Sequence, residues 1–335
     1  MNAANTLARE ALASLSRTSP EYGPSLTDHA AMVIEALERL DPDAIEPFAA
    51  RYMPRLRELD REPDAALRGF SEQAVAMQLR IDREGWRAVL AEHAPSLAET
   101  VAGAAFHGLL RVAHAARGLA RDDHPSRRAE LARALVYARL RGSVLPQRPH
   151  PSQRGTLSLA QALAKLDPSP DALVHRPGLI TPTLAERAAA HPTLGAVSAA
   201  LRREGDPASR ALELRREAAR LLARGEHAAG VTFTLLHAVT GSEATLSLAR
   251  VLAPELAQRL VDEASHALLA MRVAFVGALD RPLESTAPWN VLRARAVASL
   301  DDHAIKLSAA LDDGEALDDD LRCAALAAWL SKLSS

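Results

Sequence analysis

Apolar residues recur at three- and four-residue spacing along almost the whole chain, and clear alternation of apolar with polar residues is hard to find. Such a chain buries its apolar stripes helix against helix, because a half-buried strand would need every second residue apolar. Aromatic residues make up only 3% while alanine and leucine abound, a set that suits close helix packing better than a β-sandwich. The expected fold is therefore all-α: one large, multi-helical, bundle-like domain over residues 1–335, long enough to bury a sizeable core.

Thr27 or Asp28 is placed to cap a helix through Ala31, Val33, Ile34, Leu37 and Leu40, which Asp41-Pro42 ends. Asp43 is expected to cap a second helix carrying Ile45, Phe48, Tyr52 and Leu56, kinked near Pro54. A helical pair follows over 64–92. Pro95 then opens one long helix through Val101, Phe106, Leu110, Val112 and Leu119, stopped by Gly118 and the Asp122–Pro125 turn. Another helix covers Arg127 to Arg141, and further helices are expected near 208–224, 228–250, 253–278, 287–299, 302–312 and 317–333. No fixed repeat of 34 or 40 residues links them, which argues against a helical solenoid. Residues 142–195 differ in being rich in proline, with short helical pieces near 156–165 and 183–190. Their leucines (Leu157, Leu159, Leu163, Leu173, Leu179) point to an ordered crossover packed on the body rather than a linker between domains.

The formal net charge is −2, with acids and bases interspersed and no basic stripe, so nucleic acid is not the expected partner. The single cysteine, Cys323, excludes an intramolecular disulfide framework and a cysteine-based zinc site. The first twenty residues read as an amphipathic helix without the apolar run of a signal peptide. No stretch approaches a membrane span, and the cytoplasm is the expected compartment.

Nothing matches a Walker A loop, a G-x-G-x-x-G turn, a G-x-S-x-G elbow or a H-E-x-x-H zinc motif. The twelve histidines are more informative. His93, His124, His150, His175, His191 and His227 stand in turns or among charges and read as solvated. His29, His107, His114, His237, His266 and His303 stand in helical apolar stretches. His107 and His114, two turns apart, share a face with Arg111 between them. His303 and Lys306, three apart, also share a face. Each ring alone reads as a hydrogen-bonded core residue. Several buried together need satisfied partners or a metal. Gly108 serves helix packing or the approach of a ligand, and Lys306 is either solvated or functional. Glu263-x-x-His266 resembles half of a di-iron motif, but no second copy exists, which marks it as accidental.

The segments Thr27-Asp-His29-Ala-Ala-Met-Val-Ile-Glu-Ala-Leu with Phe48 and Tyr52, His107-Gly-Leu-Leu-Arg111-Val-Ala-His114-Ala with Glu130-Leu-Ala-Arg-Ala-Leu, Leu236-His237-Ala-Val-Thr240 and His303-Ala-Ile-Lys306-Leu resemble blocks of questin oxidase-like proteins. They lie in order between about residues 25 and 310. The resemblance implies an all-α oxygenase that opens the ring of an anthraquinone, a chemistry first described as a Baeyer–Villiger-type oxidation using NADPH. It also implies non-haem iron held by histidines and a carboxylated lysine. Carried over by position, the metal ligands are His29, His107, His237 and His303, with Lys306 as the carbamate. Arg111 and His114 become groups facing the substrate or supporting the ligands. The function so implied is an Fe2+-dependent oxygenase acting with O2 on an aromatic or polyketide-like small molecule, NADPH serving at most as a diffusing reductant. The shortage of aromatic residues tells against a flat polycycle as the substrate. Two other readings compete: a helical scaffold without activity, in which the histidines would not converge, and a zinc hydrolase with Glu243 or Glu263 as base.

Overall fold

The protein is seen here in a computed structural model, which describes residues 3–23, 26–56, 65–150, 153, 155–174, 176, 180–228, 230–284, 287–312, 315 and 317–333. His175 and Leu179 lie outside the described residues. The fold is all-α, with sixteen α-helices and one two-stranded antiparallel ribbon among the described residues. The ribbon pairs Glu21–Tyr22 with Leu26–Thr27, too short to leave an alternating signature in the sequence.

The first helices are α1 (Ala3–Leu15), α2 (Ala30–Leu40), α3 (Ile45–Tyr52), α4 (Phe70–Glu84) and α5 (Trp86–Glu99). The helix expected from Asp43 to Leu56 is cut into a 3-10 turn at Pro42–Ala44, α3, and a second 3-10 turn at Met53–Arg55. Asp41 rather than Asp43 provides the cap. After α5 come α6 (His107–Arg121) and α7 (Pro125–Leu140), then α8 (Leu159–Lys165), α9 (Ile180–Ala190) and α10 (Leu194–Ala199) within the crossover. The chain ends with α11 (Pro207–Arg224), α12 (Val231–Ala249), α13 (Pro254–Phe275), α14 (Trp289–Ala298), α15 (Asp302–Leu311) and α16 (Asp319–Leu333). Proline occupies the first turn of α7, α11 and α13, where its missing N–H costs no bond. Ser158 and Gln161 form a reciprocal capping box on α8, and Asp301 caps α15 through the Ala304 N–H.

The long helix expected from Pro95 does not form. Pro95 lies inside α5, and Ala104, Ala105 and Phe106 have φ of 46°, 54° and 69°. Three successive left-handed residues separate α5 from α6. Gly118, expected as a stop, lies inside α6.

Two apolar bodies make up most of the core. The larger gathers α4 to α7, the crossover helices α8 and α9, and α11 to α13. The smaller is built from α1, α2 and α3 with Val297, Ile305 and Ala309. Helix α15 belongs to both, sending Ile305 and Ala309 into the smaller body and Ala304, Leu307 and Leu311 into the larger. Crossover residues Leu145, Leu159, Leu163, Leu166, Leu184 and Leu194 are buried against the larger body. No helix among the described residues is long and apolar enough to cross a membrane.

Candidate metal centre

Four histidines from four helices meet at the seam between these bodies. His29 immediately precedes α2. Its N–H donates to the Tyr52 hydroxyl at 2.9 Å, and the next residue's N–H donates to Asp28 Oδ1 at 2.8 Å. His107 is the first residue of α6, His237 lies in the second turn of α12, and His303 is the second residue of α15. Their ring centroids close a circuit: His29 to His107 at 4.7 Å, His107 to His237 at 4.8 Å, His237 to His303 at 5.5 Å, and His303 to His29 at 4.7 Å.

The hydrogen bonds fix which nitrogen faces inward. His107 Nδ1–H donates to Ala104 O at 2.6 Å, and His237 Nδ1–H donates to Phe233 O at 2.7 Å. A carbonyl can only accept, so both rings carry their proton on Nδ1. Asp302 accepts from two rings at once: His29 Nδ1–H at 2.5 Å on Oδ2, and His303 Nδ1–H at 3.0 Å on Oδ1. Every Nε2 is thereby left with an in-plane lone pair. His29 Nε2 lies 2.7 Å from His107 Nε2, which lies 3.3 Å from His237 Nε2. His303 Nε2 is buried with no protein partner.

Facing lone pairs this close repel unless a cation lies between them. The spacing is that of donors about 2.0–2.1 Å from one shared ion, roughly 3 Å apart. Protonation does not supply the cation here. Burial, with the positive charge of Lys306, pushes His29 down to about 3 despite Asp302. His107 and His237 are likewise held well below the ordinary histidine range, first by burial and then by neighbouring rings. Neutral imidazoles whose Nδ1–H groups are tied to carbonyls and a carboxylate are the usual state of metal-binding histidines. His29, Asp302 and His303 also stand close enough to hold an ion by themselves. Both Asp302 oxygens already accept N–H bonds, so the carboxylate orients two rings rather than offering itself. Asp302 was not among the ligand or supporting residues expected from the sequence; the signal that could have found it is its place beside His303.

Lys306, one turn beyond His303, is 2% exposed, and its Nζ has no hydrogen-bond partner. Burial lowers it to about 8, although Asp302, Asp301 and Asp28 favour the charge. An unpartnered buried amine is costly to maintain for packing alone.

One side of the centre is less deeply buried. The His303 side chain keeps 13% of its exposure. Phe233 and Trp329, both partly buried, pack on it with centroids at 4.8 and 5.5 Å. Phe233 also packs on His237 at 4.7 Å, and Trp329 Nε1–H donates to Asp301, the cap of α15. A chain poor in aromatic side chains thus has two of them against the His237 and His303 rings.

The remaining candidates have other partners. Arg111 donates to Glu130 at 2.8 Å and stands over the Tyr137 ring. His114 Nδ1 lies 2.6 Å from Glu35, a carboxylate also met by Arg117 and Arg121. Burial would raise Glu35, but Arg117 and Arg39 overcome it and hold it well below the usual range. A cavity of about 10 Å³, roughly the room of one water, lies between Arg111, His114, Glu35 and Glu130. His266 donates from Nε2 to Pro146 O and accepts from Ser198 through Nδ1, both at 2.9 Å, as a satisfied core histidine. Glu263 pairs with Arg148, so the accidental reading of Glu263-x-x-His266 agrees with their contacts. Glu243 pairs with Arg117 at 3.0 Å. Of the histidines expected in solvent, His191 is instead buried, bonded to Asp167 O at 3.0 Å where the crossover packs on the body. Scanned against protein-family models, the chain matches none, and no curated protein matches it.

Proposed function

We propose that the protein is a non-haem iron oxygenase acting on an aromatic or polyketide-like small molecule. His29, His107, His237 and His303 hold the metal through Nε2. The observation that carries this reading is the run of buried Nε2 atoms from His29 to His107 at 2.7 Å and from His107 to His237 at 3.3 Å, with His303 Nε2 buried and unpartnered in the same ring circuit and each ring's Nδ1–H committed elsewhere. The motif resemblance to questin oxidase-like proteins runs through the same four histidines and Lys306, and supports iron over other ions. Fe2+ held there would supply electrons to O2, and any further reducing equivalents would come from a diffusing donor such as NADPH.

The chain's own groups have separable tasks. Asp302 sets the planes of two rings, and the carbonyls of Ala104 and Phe233 set the other two. The Lys306 amine would attack CO2: its nitrogen lone pair forms the N–C bond as one C=O π pair moves onto oxygen, one N–H proton leaves, and the carbamate would offer an anionic oxygen suited to iron. Substrate approaches past Phe233, Trp329 and His303, the less buried side, where a flat ring meets aromatic faces. The hydrolase reading gains no support from Glu243 and Glu263, which are engaged by arginines.

The test is anaerobic reconstitution with Fe2+ followed by metal analysis and O2 uptake with a hydroxylated aromatic. Stoichiometric iron is expected in the wild type, with loss in His107→Ala and His237→Ala at unchanged helicity. Lys306→Ala should load less iron, and bicarbonate should raise loading in the wild type alone. Wild-type protein with no affinity for Fe2+ would overturn the reading.

A further inference from the structure

The turn that leads into His107 is the one run of three successive left-handed, non-glycine residues among the described residues. Ala104, Ala105 and Phe106 are successive left-handed residues at φ 46°, 54° and 69°, and none is glycine. A residue with a Cβ disfavours the left-handed form, so the turn persists only because its surroundings hold it. Its product is specific: it brings the Ala104 carbonyl back over the first residue of α6, where it accepts from His107 Nδ1–H at 2.6 Å. Continuing α5 and α6 as one helix would aim that carbonyl along the helix axis, toward a backbone N–H four residues on.

One hydroxyl bridges the turn from outside. Thr181, in the first turn of α9, accepts from the Ala105 N–H at 2.9 Å and donates to Ala102 O at 3.2 Å. Two glycines leave room for the rest. A Cβ on Gly241 would stand 3.0 Å from the Phe106 ring, and one on Gly103 would stand 2.6 Å from Arg141 O.

We propose that Thr181 is a positioning residue for His107. Reaching in from the proline-rich crossover, it pins the left-handed turn, and the turn fixes the His107 tautomer that leaves Nε2 free to bind a metal. The inference rests on the four-histidine centre being a metal site, and its first readout does not need the metal.

The experiment compares full-length wild type, Thr181→Val, Thr181→Ser and the double variant Thr181→Val/Ala105→Gly. In metal-free protein, long-range 1H–15N correlation of the imidazoles reports which His107 nitrogen carries the proton, with His107→Gln assigning the signal. Co2+ titration then reports affinity through its visible absorption. Wild type and Thr181→Ser should show the Nδ1–H form and equal affinity. Thr181→Val, which keeps the shape and removes the hydroxyl, should lose the uniform tautomer and bind Co2+ at least tenfold more weakly. Glycine at 105 is at home at positive φ, so the double variant should regain much of both, a rescue that generic packing damage would not show. It also serves as the folded test if Thr181→Val alone is unstable. Thr181→Val with the wild-type tautomer and affinity overturns the proposal, as does a folded double variant without rescue. Tautomer loss in a protein whose wild type never binds Co2+ supports the positioning role and counts against the metal reading instead.

Discussion

Both oxygens of Asp302 accept from imidazoles, so asparagine there leaves one ring opposite an amide donor. Asp302→Asn should weaken Fe2+ or Co2+ binding roughly 10- to 100-fold, measured by competition with a chelator, while helicity stays unchanged. Equal affinity would make the carboxylate incidental. A second residue-scale expectation concerns acid. An unfolded histidine takes its proton near pH 6.5, whereas burial delays His266 in the fold to about 4. Between those values the unfolded chain binds more protons. Stability is therefore intact above pH 6.5 and falls toward pH 4, by about 1.4 kcal/mol per pH unit for each such group. His266→Gln keeps a donor and an acceptor and does not titrate, so urea midpoints measured from pH 7 to 4.5 should fall less steeply than in wild type. The histidines drew attention in the sequence because they stand in apolar helical stretches, where a titratable ring is expensive. Asp302 did not: a carboxylate at a helix start reads as a cap whether or not it also holds two rings. Arg111 and His114 carried the same apolar-face signal as His107, yet they serve a buried ionic network. Periodicity reports which face is buried, not which cluster on that face a side chain joins.

Most helices were legible from their spacing and their proline and capping residues; the segment between α5 and α6 was not. Alanine and phenylalanine ordinarily favour a right-handed continuation, and the contacts that overrule them come from Thr181, Gly241 and Arg141, all distant in sequence. If the turn is as strained as its dihedrals indicate, Ala105→Gly should not destabilise the protein and should gain up to about 1 kcal/mol, whereas alanine to glycine inside α12 should lose about that much. Urea denaturation of the two variants settles the comparison. Gly108 answers a different demand. A Cβ there would stand 2.9 Å from Ala138 Cα, a backbone atom that cannot turn aside. Gly108→Ala should push α6 off α7 at a cost of about 1–3 kcal/mol and displace His107 with it, lowering both the melting temperature and metal affinity. Of the two sequence readings of Gly108, close helix packing is the one its surroundings match.

At the scale of the molecule, the crossover is held by a parallel bridge of Leu157 to Leu201 and by Gly155, where a Cβ would lie 1.9 Å from Ala200 O. Gly155→Ala should detach this segment. Trypsin should then cut rapidly at Lys165 and Arg187, sites expected to resist it longer in wild type, as mass spectrometry of the fragments would reveal. Release of two stable halves from the wild type would instead mark residues 142–195 as a linker. The segment's leucines made its packing legible, but its hold on the His107 turn rests on one hydroxyl that no periodicity singles out. The seam between the two apolar bodies has a consequence for the order of events when the chain folds. His29 and Asp302 are 273 residues apart in sequence, and α15 must join both bodies before their bond can form. Each body can collapse on contacts closer in sequence, while closing so long a loop comes late. The four-histidine cluster is then among the last features to be completed, so the close approach of His29 to His107 certifies that the chain has reached its native arrangement.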